Sequence, residues 1–165
     1  SGGADEESII ELVNAFVDGA IRSGQVLPAG QWLASQLPAW NAAFGGLYDL
    51  PLALLRVQAA AGVEADVLLP TARLLIAANR KAARNDLTKE PLWQVVIAPS
   101  ESIDQPSELL DTAAAALFLD RSTSFIVKRL DAKTLPWCTH AGQIRIPARA
   151  LAAWQAVMLE FKLFD

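Results

Sequence analysis

The only Cys and the only His of the chain lie two residues apart in "LPWCTHAGQIRIPARALAAW", residues 135–154. Side chains on a strand alternate between faces, so Cys138 and His140 would share one. A thiol beside an imidazole is the raw material of a metal site or an activated nucleophile. Zinc normally takes four ligands, however, and no further Cys or His exists. No HExxH, CxxC, glycine-rich phosphate loop or Ser/His/Asp spacing stands out. No metal, cofactor or enzymatic activity is therefore expected. The remaining polar chemistry is hydroxylic and cationic. It comprises Arg121, Ser122, Thr123, Ser124, Lys128, Arg129 and Lys133, followed by His140, Gln143 and Arg145. Hydroxyls and N–H groups at a helix start suit phosphates and base edges, and cations along it suit the nucleic-acid backbone. The plainer reading of the same residues is helix capping and a solvated face.

These residues need elements to hold them. "LDTAAAALFLD" (110–120) reads as a short helix that Asp120-Arg121-Ser122 breaks. Ser122 is a good N-cap for a second helix, 123–132. "CTHAGQIRI" reads as two short strands around Ala141-Gly142, with Ile144 and Ile146 facing the core and Arg145 outward. Pro147 opens a last helix. Helix, tight turn, helix, hairpin, helix is the order of a winged helix-turn-helix, whose second helix is sized for a major groove.

Residues 110–154 resemble the excisionase-type, MerR-like winged helix-turn-helix domains of small bacterial regulators, phage excisionases and some antitoxins. Leu110, Ala115-Ala116, Leu119, Ser122, the "IVK" of 126–128, Leu130, Leu135-Pro136, Arg145-Ile146 and Leu151 fall on the family pattern. The resemblance implies that Ser122, Thr123 and Ser124 cap the recognition helix and touch phosphate or base edges. Lys128 and Arg129 would meet the backbone, with Lys133 at the helix end. Gln143 and Arg145 would reach a minor groove or flanking phosphates, and His140 a phosphate. The chain also departs from the pattern. Thr123 stands where the family has Arg, with an Arg displaced to 121, and Lys133 lies near the position of a Gly. Ile144 replaces a second wing Arg, and Ala114 an acidic residue. The implied function is sequence-specific binding of double-stranded DNA, as a transcriptional regulator or antitoxin-like autorepressor. The alternative is an adaptor whose winged helix contacts a protein.

The rest of the chain reads as helical. At 53% hydrophobic and 19% charged it can bury a core, and no apolar run approaches the length of a membrane span. The N-terminus has no basic region followed by an apolar core, so no secretory signal is expected, and one Cys fits a reducing compartment such as the cytoplasm. The net charge is −4, yet residues 106–165 alone hold more Lys and Arg than Asp and Glu. Residues 5–22 form an amphipathic helix. Residues 27–51, broken by Pro28, Pro38 and Gly45-Gly46, read as short helices with turns. Residues 51–63 and 70–86 read as helices with Pro51 and Pro70 in their first turns, and Arg73, Arg80, Lys81 and Arg84 make a solvated or phosphate-facing basic set. "WQVVI" reads as a strand. Expected overall is a mostly α chain: a helical region with a short β element (1–99) for dimerisation or a toxin-like protein partner, a linker (100–108), and the winged helix (109–165). Trp32, Trp40, Phe44 and Tyr48 would serve as core or as the partner surface.

Overall fold

A computed structural model of the chain describes residues 2–96 and 108–164. Among them are eight helices and a small antiparallel sheet of three strands, the mostly α class that the sequence predicts. None of these helices is long and apolar enough to cross a membrane.

Helix α1 (Gly2–Ser23) buries Val13, Val17 and Ala20 and ends before Gly24, whose φ of 77° only glycine adopts cheaply. Helix α2 (Val26–Phe44) is one element rather than the short helices expected. Pro28 is its third residue, where the missing N–H has no intrahelical partner. Pro38 does cost a bond, but it is exposed, and Leu33 and Leu37 anchor the helix in the turns before it. Helix α3 (Asp49–Ala61) is buried along most of its length and packs against α1, α2 and α4. Its small Ala side chains allow that crowding.

The single helix expected over 70–86 is two. Helix α4 (Ala65–Ala78) begins earlier and carries Pro70 at its sixth position, not in its first turn. Asn79 then leaves the helix and caps α5 (Arg80–Thr88), accepting the Ala82 N–H at 3.1 Å. Thr71 of α4 donates to Gln58 of α3 at 2.7 Å, so both buried polar groups are satisfied.

The strand expected at "WQVVI" is reduced to one parallel bridge between Gln94 and Trp137. The Val95 N–H donates to the Trp137 carbonyl at 2.7 Å and the Trp137 N–H to the Trp93 carbonyl at 3.3 Å. Ile97, and the expected linker apart from Glu108, lie outside the described residues.

Leu110 opens no helix. Leu109–Leu110 is strand β1, paired with Pro147 and Ile146 of β3 (Gln143–Pro147). Helix α6 (Thr112–Leu119) starts after Asp111, which accepts the Ala114 N–H at 2.8 Å. Helix α7 (Thr123–Ala132) follows, then β2 (Cys138–His140), β3 and α8 (Ala148–Glu160), with sheet order β1-β3-β2. Pro147 caps α8 instead of opening it. The largest core cluster joins α3, α4 and α5 to α6, α7 and α8 through Leu55, Leu75, Leu87, Ile126, Leu135, Leu151 and Trp154.

Tyr48 fixes α5 to the start of α3: its hydroxyl donates to Asp86 Oδ2 at 2.5 Å. Burial, that hydrogen bond, and the negative charges of Asp86 and Asp49 push the phenol well above its ordinary value. A raised phenol means that the contact stabilises the fold below pH about 10 and is lost as pH rises through the raised value. Tyr48→Phe is expected to lower unfolding free energy by about 1 kcal/mol at neutral pH. It should also narrow the difference from wild type as denaturation is repeated at pH above about 10.

Candidate nucleic-acid interface

Helix α7 is built to show one face and bury the other. Ile126 is fully buried against the core, and Phe125 and Leu130 pack beside it. Thr123, Ser124, Val127, Lys128 and Asp131 are exposed. Their three- and four-residue spacing lines them along one side of the helix. Ser122 Oγ accepts the Phe125 N–H at 3.1 Å, so this hydroxyl caps the helix. Thr123 and Ser124 carry exposed hydroxyls at the positive end of the helix, where first-turn N–H groups lack intrahelical partners.

The turn from α6 to α7 is closed by Asp120 in the left-handed region, φ 54°. Arg121 next to it is exposed, yet its guanidinium lies over two rings. Its guanidinium lies 5.0 Å from the Phe125 ring centre and 4.6 Å from that of Phe164. Arg129 lies 4.6 Å from Phe125 and 5.5 Å from Trp154. Two of the cations thus lie over an aromatic cluster, in which Trp154 and Phe164 meet edge to face at 5.4 Å. Phe125, Trp154 and Phe164 are site-forming residues that the sequence reading missed. Phe164 meets α7 only because the chain turns back after α8, where the Leu163 N–H donates to the Met158 carbonyl at 2.8 Å. Val127 is an apolar member of the exposed face, and its helical spacing from Thr123 reveals it. Lys133 ends α7 in the left-handed region, φ 61°, with its ammonium 4.3 Å from the Trp137 ring centre.

The hairpin turns at Ala141 and Gly142, both at positive φ as tight two-residue turns require. Cys138 pairs with Arg145, Thr139 with Ile144 and His140 with Gln143. Ile146 is buried as expected, whereas Ile144 is 43% exposed. The two point to the same side of the strand, but only Ile146 is paired with β1. Arg145 bends back: one guanidinium nitrogen donates to Gln143 Oε1 and the other to the Ile144 carbonyl at 2.9 Å. His140 and Gln143 are exposed near the tip.

Cys138 and His140 lie on one side of β2, yet Cys138 is buried with Val95 and Ala150 while His140 is in solvent. Burial pushes the thiol up, against the opposing effect of Arg145. A thiol so held stays protonated near neutral pH and is a poor nucleophile or ligand. Among the described residues, no three of His, Cys, Asp and Glu are grouped to hold a metal. Comparison with protein-family models, with curated proteins and with solved structures found no match to this chain.

Ser122→Ala is expected to lower unfolding free energy by about 1 kcal/mol, the worth of a lost N-cap. Ser124→Ala, which removes no cap, should leave denaturant midpoints close to wild type.

Proposed function

We propose that residues 109–165 act as a winged helix-turn-helix that reads double-stranded DNA with α7, and that the protein is a non-catalytic, cytoplasmic regulator or antitoxin-like autorepressor. The observation that carries this reading is the division of α7. Ile126 is anchored in the core, while Thr123, Ser124 and Lys128 form an exposed polar row at the helix start. A helix held by one face and open on the other is what a major groove admits. Arg121 supports the reading from the turn, because a guanidinium held over rings keeps its charge. Gln143, Arg145 and His140 supply a small polar wing.

The adaptor reading has its own support. Leu117 on α6 is 84% exposed, and Phe118, Val127 and Ile144 are exposed as well. Such residues suit a protein surface better than phosphates. The N-terminal helices offer a further apolar surface, where Phe16 lies 5.2 Å from Trp32 and Trp32 lies 5.8 Å from Trp40. Phe16, Trp32, Leu12 and Leu27 are all exposed. In the DNA-binding reading, this is where a homodimer or a toxin-like partner would join.

Selection of duplexes from a random pool, followed by binding of the recovered sequence under varied salt, tests the proposal. Wild type should enrich a defined site. Lys128→Ala with Arg145→Ala should weaken binding to all duplexes and reduce the slope of log K against log salt by about 2. Absence of enrichment, with retention of a protein co-purified from the native cell, would favour the adaptor. Trp32→Glu should shift sedimentation toward monomer without changing the secondary structure seen by circular dichroism.

A further inference from the structure

Leu52, Arg56 and Ala60 stand four residues apart on α3, which sets them in one row along the helix. The chain that follows α5 supplies a second row. Trp93 and Val95 turn inward and are buried, and Leu92, Gln94 and Val96 take the other side. The two rows, with Asp86 of α5 and Glu90 just beyond its end, line a cleft of about 370 Å³. Small-molecule sites begin at roughly 300 Å³.

Hydrogen bonds hold the second row in place. The Val96 N–H donates to the Ala60 carbonyl at 2.7 Å, which ties one end of the row to α3. Toward the other end, the Leu92 N–H donates to the Glu90 carbonyl at 2.9 Å, and the Trp93 indole to the Leu87 carbonyl of α5 at 3.2 Å. The Val95 N–H donates to the Trp137 carbonyl at 2.7 Å. Walls fixed in this way need little further ordering when a ligand arrives.

The lining carries both signs of charge beside apolar surface. Asp86 Oδ2 accepts the Tyr48 hydroxyl, and Glu90 Oε1 accepts from the Asn85 amide at 3.4 Å. Each carboxylate keeps a second oxygen that can accept. Arg56 donates through one nitrogen to Asp18 at 2.7 Å, and both side chains of that pair are partly exposed. A guanidinium presents several donors in one plane, so Arg56 can serve a second carboxylate. Leu52, Ala60, Leu92 and Val96 supply the apolar wall.

We propose that this cleft binds a small zwitterion, an amine and a carboxylate on one apolar body. The amine meets Asp86 and Glu90, the carboxylate meets Arg56, and the apolar body lies on the aliphatic wall. Free α-amino acids with apolar side chains carry this chemistry, and so do ω-amino acids, whose charges stand further apart. A molecule with only one of the charges would leave part of the polar lining without a partner. The site is separate from α7 and does not depend on the DNA-binding reading.

The test is calorimetric titration of the full-length protein with L-leucine, L-phenylalanine and 6-aminohexanoate. Isoamylamine, 4-methylpentanoate, hexylamine and hexanoate serve as the one-charge counterparts. At least one zwitterion should bind saturably, with a Kd of about 1 mM or tighter, and its one-charge counterparts several-fold more weakly. An α-amino acid or 6-aminohexanoate as the tighter ligand tells which spacing of charges the cleft takes. Arg56→Gln and Glu90→Gln should each weaken that binding about tenfold, with circular dichroism unchanged. Asp18→Asn breaks the same ion pair as Arg56→Gln but leaves the cleft's charges in place, so it should bind as tightly as wild type or more so. Absence of saturable binding by all three zwitterions overturns the proposal. Equal affinity for the one-charge counterparts overturns it as well, as does wild-type affinity in both cleft variants. A loss in Asp18→Asn as large as in Arg56→Gln also overturns it, because Arg56 would then act only through its ion pair.

Discussion

Helix α8 buries Ala150, Leu151, Ala153, Trp154, Val157 and Met158, and α4, which it packs against, buries Leu68, Ala72 and Leu75. A fully buried aliphatic side chain of this kind is worth roughly 1.5–3 kcal/mol. This contact surface is accordingly the largest single restraint on how the C-terminal elements sit. Everything proposed for α7 depends on it. Ile126 reaches the same cluster, and Trp154 supplies one ring of the support beneath Arg129. The ends of the sheet are tied to the same helix, because the Ala148 N–H donates to the Glu108 carbonyl at 2.8 Å beside the β1–β3 pairing.

The aromatic cluster shows how packing and electrostatics combine. A guanidinium in water is mobile and well hydrated. Placed over Phe125 and Phe164, Arg121 loses rotamer freedom before any partner arrives, which lowers the entropy still to be lost on binding. Lys128 has no such ring contact and remains a solvated point charge on the outer row. The two cations are thus suited to different tasks, one pre-oriented beside the turn and the other adaptable along the helix.

Local signals are legible where one residue type decides the backbone. Ser122 as N-cap, the turn at Ala141-Gly142 and the bounds of α7 follow from capping and turn chemistry acting within four residues. Proline misled in two places. Pro28 and Pro38 suggested broken helices, and Pro70 a helix start, but tertiary burial of Leu33, Leu37, Leu68 and Leu75 outweighs one lost hydrogen bond. Leu110 read as the start of a helix because a two-residue strand has no periodicity of its own. Its structure comes from β3, more than thirty positions away. Ile144 read as core for the opposite reason: alternation gives the side of a strand but not whether anything covers it.

The candidate site divides the same way. The identities of Ser122, Thr123, Ser124 and Lys128 were legible because capping chemistry and the bounds of α7 place them at or near its start. That Cys138 is buried away from His140, that Arg121 and Arg129 rest on Phe125, Trp154 and Phe164, and that Trp93 joins the end of α5 to the backbone of Trp137 were not. Sequence alone determined the mostly α class, the helix–turn–helix–hairpin–helix order and the local caps, because these depend on neighbours along the chain. Tertiary structure alone decided which side chains are covered and which cations lie over aromatic rings. Those outcomes depend on contacts between residues tens of positions apart, for which a single sequence carries no periodic signal.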